Sequence, residues 1–270
     1  MKLPQIIPPL SLLVVLSGTP LTAAVLVEED FEGLTNVTDG AFNRADDESQ
    51  VEVSLSTAGD PFSLGAGNQY VIHRDADGDD GAVAGLVNSP TAGALDGGLF
   101  SINFLFYEPS GDGLDDSILV RVGADTNSDN AAVDISLNNG TLNATNVAAV
   151  SNAYALDSSY AMDIVGNESG ASVNYEGKAL ANNRYDVWLT DSSGSSSLVL
   201  SDVLFRSTGE TLDSFFFQTF SSAQQEIYYD NFTITDNEAV VLGLIPEPAS
   251  SALLFGGAIA MVALLRRRRR

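Results

Sequence analysis

Two short stretches of the chain place carboxylates at alternate positions. Such spacing suits either the binding of a cation or the hydrolysis of a glycosidic bond. The first stretch is Asp75-Ala76-Asp77-Gly78-Asp79-Asp80-Gly81. Ca²⁺ prefers hard oxygen ligands, so four of these side chains are candidate calcium ligands: Asp75, Asp77, Asp79 and Asp80. An EF-hand would need Gly at Asp80 and Glu at Leu86, so the sequence supports only a looser site. Solvated turns are the alternative interpretation, and a second cluster of this kind comprises Asp112, Asp115 and Asp116.

The second stretch is Glu28-Glu29-Asp30-Phe31-Glu32, near the start of the chain. In an extended strand, alternation would place Glu28, Asp30 and Glu32 on one face. Glycoside hydrolysis uses a pair of carboxylates, one as acid and one as nucleophile or base, so this face is a candidate for that chemistry. The alternative is an acidic first strand in contact with solvent. Because no aromatic sugar platform accompanies the motif, we expect no catalytic residues here.

Residue types that carry most other site chemistry are scarce. The chain has no cysteine, which excludes disulfides, thiolate nucleophiles and thiolate metal sites. His73 is the one histidine, and no Ser/His/Asp arrangement surrounds it in the sequence. We expect His73 to be a strand-face residue without a catalytic role.

The charge distribution is strongly acidic, with a formal net charge of −24 at pH 7. Six of the twelve basic residues lie in the two ends, and all acidic residues except Glu247 lie between those ends. Binding to nucleic acid depends on Lys and Arg contacts to phosphates, so a nucleic-acid partner is excluded. The composition suits an exported, highly soluble body.

The body between the ends shows strand patterns separated by turn residues and no long helical period. We predict strands at Val25–Gly33, Gln50–Ser56, Tyr70–Arg74, Leu99–Tyr107, Ile118–Val122, Val133–Leu137, Tyr160–Val165, Ala171–Tyr175, Arg184–Thr190, Leu198–Phe205, Ser214–Phe220 and Glu226–Thr235. Asn138-Asn139-Gly140 predicts a hairpin turn, and Leu99–Tyr107 is apolar on both faces, which predicts a central strand. Alternation along the last strand would put Tyr229 and Phe232 on opposite faces. The fold class is therefore all-β, an antiparallel β-sandwich of jelly-roll type.

The body resembles concanavalin-like (laminin-G-like) jelly rolls. The resemblance is carried by Asp30-Phe31-Glu32-Gly33, by the stretch Arg184–Leu189 and by Tyr229-Asp230-Asn231-Phe232. It implies that the first and last strands pair in one sheet. It implies no single activity, because such folds host lectins, glycosidases and structural modules.

Both ends of the chain differ from the body. Residues 1–24 read as a secretory signal peptide, with Lys2, the apolar stretch Leu10–Leu16 and the small residues Thr22-Ala23-Ala24 before a cleavage point. At the other end, Pro246-Glu247-Pro248 precedes an uncharged run of 17 residues, Ala249–Leu265, and then Arg266–Arg270. As a helix the run would span roughly 25 Å, near the short limit for a bilayer core. The arginines favour the cytoplasmic side.

This tail resembles the PEP-CTERM sorting signal of Gram-negative bacteria, in which a Pro-Glu-Pro motif precedes a transmembrane helix and an arginine cluster. The sorting motif would be Pro246, Glu247 and Pro248, and membrane orientation would depend on Arg266, Arg267, Arg268, Arg269 and Arg270. The resemblance implies an exosortase as partner and a transient anchor in the inner membrane. It also implies later release to the cell surface or extracellular matrix. A plain membrane anchor is the alternative.

These observations predict four segments: a signal peptide at 1–24, a jelly-roll domain at 25–235, a linker at 236–244 and a sorting signal at 245–270. We expect an exported surface or matrix protein whose body is not an enzyme and has a structural or carbohydrate-contacting role. We expect no cofactor other than the loose calcium site. The alternative is a secreted glycoside hydrolase that acts on extracellular polysaccharide.

The tail yields a direct test of the sorting prediction. Deleting Arg266–Arg270, or replacing Pro246-Glu247-Pro248 by alanines, is expected to leave the protein in the inner membrane, because anchoring would no longer lead to recognition and release. Cell fractionation and the mass of any released protein measure this. Replacing Ser250 and Ser251 by alanine serves as the control, and normal release from the deleted or motif-changed protein would contradict the prediction.

Overall fold

The computed structural model describes residues 24–44, 51–75, 82–88, 95–111, 117–125, 128–220 and 226–236. Short 3₁₀ turns occur at Val37–Asp39 and Ser128–Asn130. The strands of the described residues are β1 (Ala24–Glu29), β2 (Asn43–Arg44), β3 (Val51–Ser56), β4 (Tyr70–Asp75), β5 (Ala82–Asn88), β6 (Leu99–Tyr107), β7 (Ser117–Gly123), β8 (Ala131–Asn138), β9 (Thr141–Ala144), β10 (Ser159–Asn167), β11 (Val173–Tyr175), β12 (Lys178–Leu180), β13 (Arg184–Asp191), β14 (Ser196–Leu204), β15 (Ser214–Phe220) and β16 (Glu226–Asp236).

The strands form two large antiparallel sheets and a small hairpin. The eight-stranded sheet has the order β14-β13-β10-β6-β16-β4-β3, and β1 pairs with β16. The six-stranded sheet has the order β2-β5-β15-β7-β8-β9. The hairpin consists of β11 and β12. The predicted all-β, antiparallel class is confirmed, and so is the pairing of the first and last strands.

Aromatic side chains from both sheets meet in the core. Phe104 of β6 lies 5.3 Å from Phe217 of β15 between ring centroids, with their planes at 87°. Tyr229 of β16 stacks on Phe217 at 3.8 Å, and Phe232 stacks on Phe104 at 5.3 Å. Because contacts cross from one sheet to the other, the two sheets pack face to face as a sandwich.

Alternation along the strands of the six-stranded sheet determines which side chains enter this core. On β7 the alternating core residues are Ile118, Val120 and Val122, and on β8 they are Val133, Ile135 and Leu137, with Ala132 added where the register of the two strands shifts. The intervening side chains therefore point to the opposite face of the sheet, away from the sandwich interior. That outward face carries the polar residues described in the next section.

The sequence predicted most of the long strands well. β6 and β15 have the predicted bounds, and β6 lies between β10 and β16, as expected for a central strand. Asn139 and Gly140 form the predicted hairpin turn, with φ of 46° and 75°. The strands that prediction missed are β2, β5, β9 and β12. Of these, β5 is rich in Ala and Gly, which have low strand propensity, and the others span only two to four residues.

Two predicted strand patterns need correction. β1 ends at Glu29, and Phe31 has a positive φ of 57°, so the predicted strand Val25–Gly33 breaks before Phe31. In β16, Asn231 has φ of 50° and the register against β6 shifts between Asp230 and Thr233. This bulge reverses the alternation, so Tyr229 and Phe232 both enter the core rather than facing opposite sides.

Several predicted segments lie outside the described residues: residues 1–23 of the signal peptide, residues 237–244 of the linker, the Pro-Glu-Pro motif, the apolar run and the arginine cluster. Within the described ranges, no helix combines the length and apolar character that crossing a bilayer requires. The sorting signal therefore remains a prediction from the sequence.

Gly166 of β10 offers a test of core packing between the central strands. A Cβ atom built on Gly166 would lie 2.1 Å from the ring of Phe100, whose side chain is fully buried. Gly166→Ala is therefore expected to destabilise the fold by about 1–3 kcal/mol through overpacking. Thermal unfolding should show a lower Tm, with exposed Ser197→Ala as the control. An unchanged Tm for Gly166→Ala would contradict this packing.

Candidate functional site

A groove of about 270 Å³ lies on the outward face of the six-stranded sheet. Its lining side chains come from three neighbouring strands and the residue that follows the last of them: Leu119 and Arg121 of β7, Asp134 and Ser136 of β8, Asn143 and Ala144 of β9, and Thr145. Most of these residues are polar, although the sheet around them is apolar on its inner face. A concave, polar-lined surface on a rigid sheet is a candidate binding site.

The sheet register brings the charged members of the groove together. Arg121 and Asp134 are direct cross-strand partners, and Arg121 is also paired with Phe216 of β15. Gln218 stands two residues further along β15, so it lies on the same face as Arg121. Alternation thus places a cation, a carboxylate and an amide side by side in the middle of the sheet.

Hydrogen bonds fix these side chains in place. Arg121 Nε donates to Asp134 Oδ1 at 2.8 Å, and Arg121 Nη1 donates to Gln218 Oε1. Thr145 Oγ1 donates to Asp134 Oδ2 at 3.2 Å. Arg121 and Gln218 are each 5 % exposed and Asp134 is 8 % exposed, so the cluster is almost fully desolvated. Charged groups can remain buried when they are paired with an opposite charge and hydrogen-bonded, as these are.

Arg206 joins the cluster from the loop that follows β14. Its backbone N–H donates to the Ala132 carbonyl at 2.8 Å, which holds the loop against β8. Its Nη1 donates to Asp134 Oδ2, and its Nη2 donates to Asp129 Oδ1 at 3.2 Å. Asp134 therefore anchors two arginines, and its role in the groove is to position them.

A second buried charge cluster, on the eight-stranded sheet, has a different character. Asp186 is fully buried and accepts hydrogen bonds from Lys178 Nζ at 2.5 Å, from the Tyr175 hydroxyl and from the Asp202 backbone at 2.6 Å. Tyr175 in turn accepts from Trp188 Nε1 at 3.2 Å. Because Tyr175 and Lys178 belong to the β11–β12 hairpin, this cluster fastens the hairpin to the sheet.

The predicted calcium ligands are only partly within the described residues. Asp75 is the last residue of β4, whereas Asp77, Asp79 and Asp80 lie outside the described ranges. The second acidic cluster, Asp112 to Asp116, also lies outside them. Among the residues that the structure describes, no group of three or more His, Cys, Asp or Glu side chains could hold a metal ion. The calcium site remains a prediction.

The acidic stretch at the start of the chain does not form one carboxylate face. The strand ends at Glu29, whose carboxylate accepts from the backbone N–H groups of Phe31 at 2.9 Å and Ala41 at 2.6 Å. Asp30 accepts from the Glu32 backbone at 3.0 Å, and Glu32 accepts from the Gln69 backbone at 2.9 Å. These carboxylates cap backbone donors in a turn, so the strand alternation that suggested a glycosidase motif is absent.

His73 lies on β4, as predicted for a strand residue, and is fully buried. Its ring lies 6.2 Å from the ring of Tyr229, and among the described residues neither ring nitrogen has a hydrogen-bond partner. Burial lowers the pKa of His73 to about 3, because the charged imidazolium would be desolvated. The histidine is therefore neutral throughout the physiological pH range.

Two carboxyls elsewhere have raised pKa values. Asp230 is fully buried, and burial raises its pKa to about 7 against hydrogen bonds from Asn68 and the Asn231 backbone, which lower it. Burial also raises the pKa of Glu168 to about 7, with a further contribution from neighbouring Asp96. Both lie away from the groove lining, so they bear on stability.

Sequence reasoning missed the groove residues. The available signal was a lone charge in the middle of each of two apolar strands, Arg121 in Ile118–Val122 and Asp134 in Val133–Leu137. Opposite charges at such positions indicate cross-strand pairing on an outward face. Gln218 and Arg206 carried no comparable signal, because their placement depends on the pairing of β15 with β7 and on the path of a loop.

The similarity of this chain to known proteins lies in its structure and not in its sequence. The sequence matches no protein-family model and no curated protein. Among solved structures, the catalytic domain of a glycoside hydrolase family 131 protein from Coprinopsis cinerea is similar, with TM-score 0.57 and 9% identity. That match covers 82% of this chain and 97% of the Coprinopsis domain.

Two further structures are similar. A GH131 β-glucanase catalytic domain from Podospora anserina has TM-score 0.54 and 11% identity, over 80% of this chain and 97% of that domain. A carbohydrate esterase from Shiga toxin-encoding bacteriophage phi24B has TM-score 0.51 and 11% identity, over 80% of this chain and all of the esterase. At these identities the likeness shows a shared fold.

These structures contradict the prediction that the body is not an enzyme. That prediction rested on the absence of a catalytic motif in the sequence. The similar structures include catalytic domains of glycoside hydrolases, so the fold itself is one that carries catalysis on carbohydrates. The resemblance to carbohydrate-related jelly rolls is supported at the level of the fold.

The buried histidine gives a pH-dependent prediction. The unfolded chain binds a proton at His73 below about pH 6.5 while the folded chain does not until about pH 3. The contribution of His73 alone therefore lowers stability as pH falls through this window, by about 1.4 kcal/mol for each pH unit. His73→Phe is expected to remove this loss, so its stability advantage over the natural protein should grow between pH 6.5 and pH 4 in urea unfolding.

The control for this experiment is Tyr229→Phe, which removes the neighbouring unpartnered hydroxyl. Burial raises the pKa of Tyr229 well above its ordinary value, so this change should alter stability by the same amount at every acidic pH. A stability difference between His73→Phe and the natural protein that stays constant from pH 7 to pH 4 would contradict the assignment.

Proposed function

We propose that this chain is an exported polysaccharide-acting protein of the glycoside hydrolase type, with its sugar chain lying in the groove of the six-stranded sheet. The observation that carries the proposal is the groove itself, which is lined by the paired Arg121 and Asp134 on an outward sheet face, with Gln218 bonded to Arg121 beside the lining. Its rim adds hydroxyl and amide groups from Ser136, Asn143 and Thr145. Groups of this kind hydrogen-bond sugar hydroxyls.

The fold supports the proposal, because the same two-sheet arrangement serves catalytic domains of glycoside hydrolases. Hydrolysis of a glycosidic bond uses two carboxyl groups in most such enzymes. Among the described residues that line the groove, Asp134 is the one carboxylate, and both of its oxygens are bonded to neighbouring side chains. We therefore assign Asp134 to positioning the two arginines.

Export is the second part of the proposal. The signal peptide would direct the chain out of the cytoplasm, and the Pro-Glu-Pro motif with its apolar run and arginines would deliver it to an exosortase. Release at the cell surface or into the extracellular matrix would place the body beside extracellular polysaccharide. The support for this part comes from the sequence of the two ends.

The experiment is a digestion of a polysaccharide panel, both neutral and acidic, by the purified protein. Release of soluble reducing sugar is expected from at least one polymer. Asp134→Asn should lower the rate by about tenfold to a hundredfold, because hydrogen bonds to a charged group orient Arg121 and Arg206. The matched control is Asp129→Asn, which makes the same chemical change at an exposed partner of the same Arg206.

The outcomes separate clearly. Sugar release that is lost in Asp134→Asn and kept in Asp129→Asn supports the groove as the site. Sugar release that Asp134→Asn does not change would indicate that the activity lies on another surface. Binding without release from any polymer, or neither binding nor release, would overturn the hydrolase proposal. Circular dichroism of each variant checks that the fold is intact.

A further inference from the structure

The groove lining contains one guanidinium, that of Arg121, and one carboxylate, that of Asp134. Asp134 supplies the charged acceptors, and its oxygens already accept from Arg121 Nε, Arg206 Nη1 and Thr145 Oγ1. A carboxylate has about four acceptor positions, so little capacity remains.

Arg121 has further donors. Its guanidinium carries five N–H groups, of which the Nε group bonds to Asp134 and an Nη1 group bonds to Gln218. For the other N–H groups, the described part of the chain provides no bonded acceptor. Arg121 is also one of the residues that line the groove.

Gln218 lies beside Arg121, next to the residues that line the groove. Its Oε1 must point to Arg121, because a guanidinium can only donate, and this fixes the amide orientation without ambiguity. The Nε2 amide group is consequently directed away from Arg121, and within the described ranges no acceptor is bonded to it. Arg121 and Gln218 thus form a pair of adjacent donors, one of them positively charged.

A sugar hydroxyl can accept from such donors, but it carries no charge to pair with the guanidinium. A carboxylate brings two acceptor oxygens and a negative charge, and its planar geometry fits the fork of a guanidinium. Around Asp186, by contrast, Tyr175 and Lys178 donate to the Asp186 carboxylate, and Trp188 donates to the Tyr175 hydroxyl.

We propose that the groove recognises a carboxylate-bearing polysaccharide, a polymer that contains uronic acid, with Arg121 as the residue that determines specificity and Gln218 as the residue that positions its guanidinium. This inference rests on the proposed function, since it names the substrate class of the same site. Ser136, Asn143 and Thr145 remain to contact the neutral hydroxyls of the sugar ring.

The acidic body does not oppose this recognition at short range. Charges more than about 8 Å apart are largely screened at physiological salt, whereas a desolvated guanidinium next to its ligand is not. Long-range repulsion from a chain of net charge −24 should nevertheless slow the approach of a polyanion at low salt. Affinity for the acidic polymer is therefore expected to hold or rise between 20 and about 150 mM salt, unlike a simple basic patch.

The test compares polymers that differ only in charge. Polygalacturonate, polymannuronate and hyaluronate are each presented in the acid form and in the carboxyl methyl-ester form, beside a neutral β-glucan. Affinity electrophoresis measures binding and reducing-sugar release measures cleavage. For at least one backbone, the acid form is expected to bind about tenfold or more tightly than its ester. This comparison uses the natural protein and depends on no variant.

Gln218→Glu sharpens the test. The new carboxylate would occupy the donors of Arg121 and repel a ligand carboxylate, so binding of the acid form should fall about tenfold or more while binding of the ester changes little. The matched control is Asn174→Asp, which adds the same charge at an exposed position of the β11–β12 hairpin. That control should bind the acid form as the natural protein does.

Failure of this inference can be told apart from failure of the proposed function. Cleavage of neutral β-glucan with no preference for any acid form would overturn the carboxylate site and leave the hydrolase proposal intact. Binding of an acid form without cleavage would keep the site and overturn the hydrolase. No binding and no cleavage of any polymer would overturn both.

Discussion

The rest of the structure depends on the contact between the two sheets at the centre of the sandwich. Phe104 and Phe232 from the eight-stranded sheet pack against Phe217 from the six-stranded sheet, and Tyr229 stacks on Phe217 at 3.8 Å. A chain without cysteine gains no stability from cross-links, so burial of these large rings must supply it. The bulge at Asn231 belongs to this arrangement, because it turns both Tyr229 and Phe232 inward.

Once the inner faces are committed to this core, charged side chains in the strands can only point outward or sit at the ends. Three buried carboxylates each accept hydrogen bonds from a neighbouring part of the chain. Glu108 accepts from the Asn139 backbone at 2.9 Å and from the Tyr154 hydroxyl, which ties β6 to the β8–β9 turn. Asp186 ties the β11–β12 hairpin to its sheet. Asp134 accepts hydrogen bonds from two arginines, and it alone of these three lines the groove.

The sequence was most informative where one physical effect dominates. The strand Leu99–Tyr107 is apolar on both faces and so could only be central, and Asn139-Gly140 could readily adopt the positive φ that a tight turn requires. β5 was missed because Ala and Gly weaken its strand pattern, and a two-sheet context overrides that weakness. The Asp30–Gly33 stretch was misread because alternation alone does not reveal that Phe31 leaves the strand.

The groove could be predicted only in part, for a related reason. Arg121 and Asp134 are visible as lone charges in apolar strands, but their pairing requires the register of β7 and β8. Gln218 requires in addition that β15 lie beside β7, although 97 residues separate it from Arg121 in the sequence. Contacts at such separations follow from the strand order of the whole sheet, which local patterns do not encode.

The buried titrating groups change the free energy of unfolding in opposite directions as pH changes. For His73 the folded pKa is lowered, so its contribution is lost as pH falls below about 6.5. For Asp230 and Glu168 the folded pKa is raised to about 7, so their contribution is present at acidic pH and is lost as pH rises through about 7. Between about pH 4.5 and 6.5 the two carboxyls outweigh the single histidine, so these three groups together favour the folded state on the acidic side of neutrality. None of these three residues lines the groove. Their titration therefore changes the stability of the sandwich without changing the charge of the groove lining.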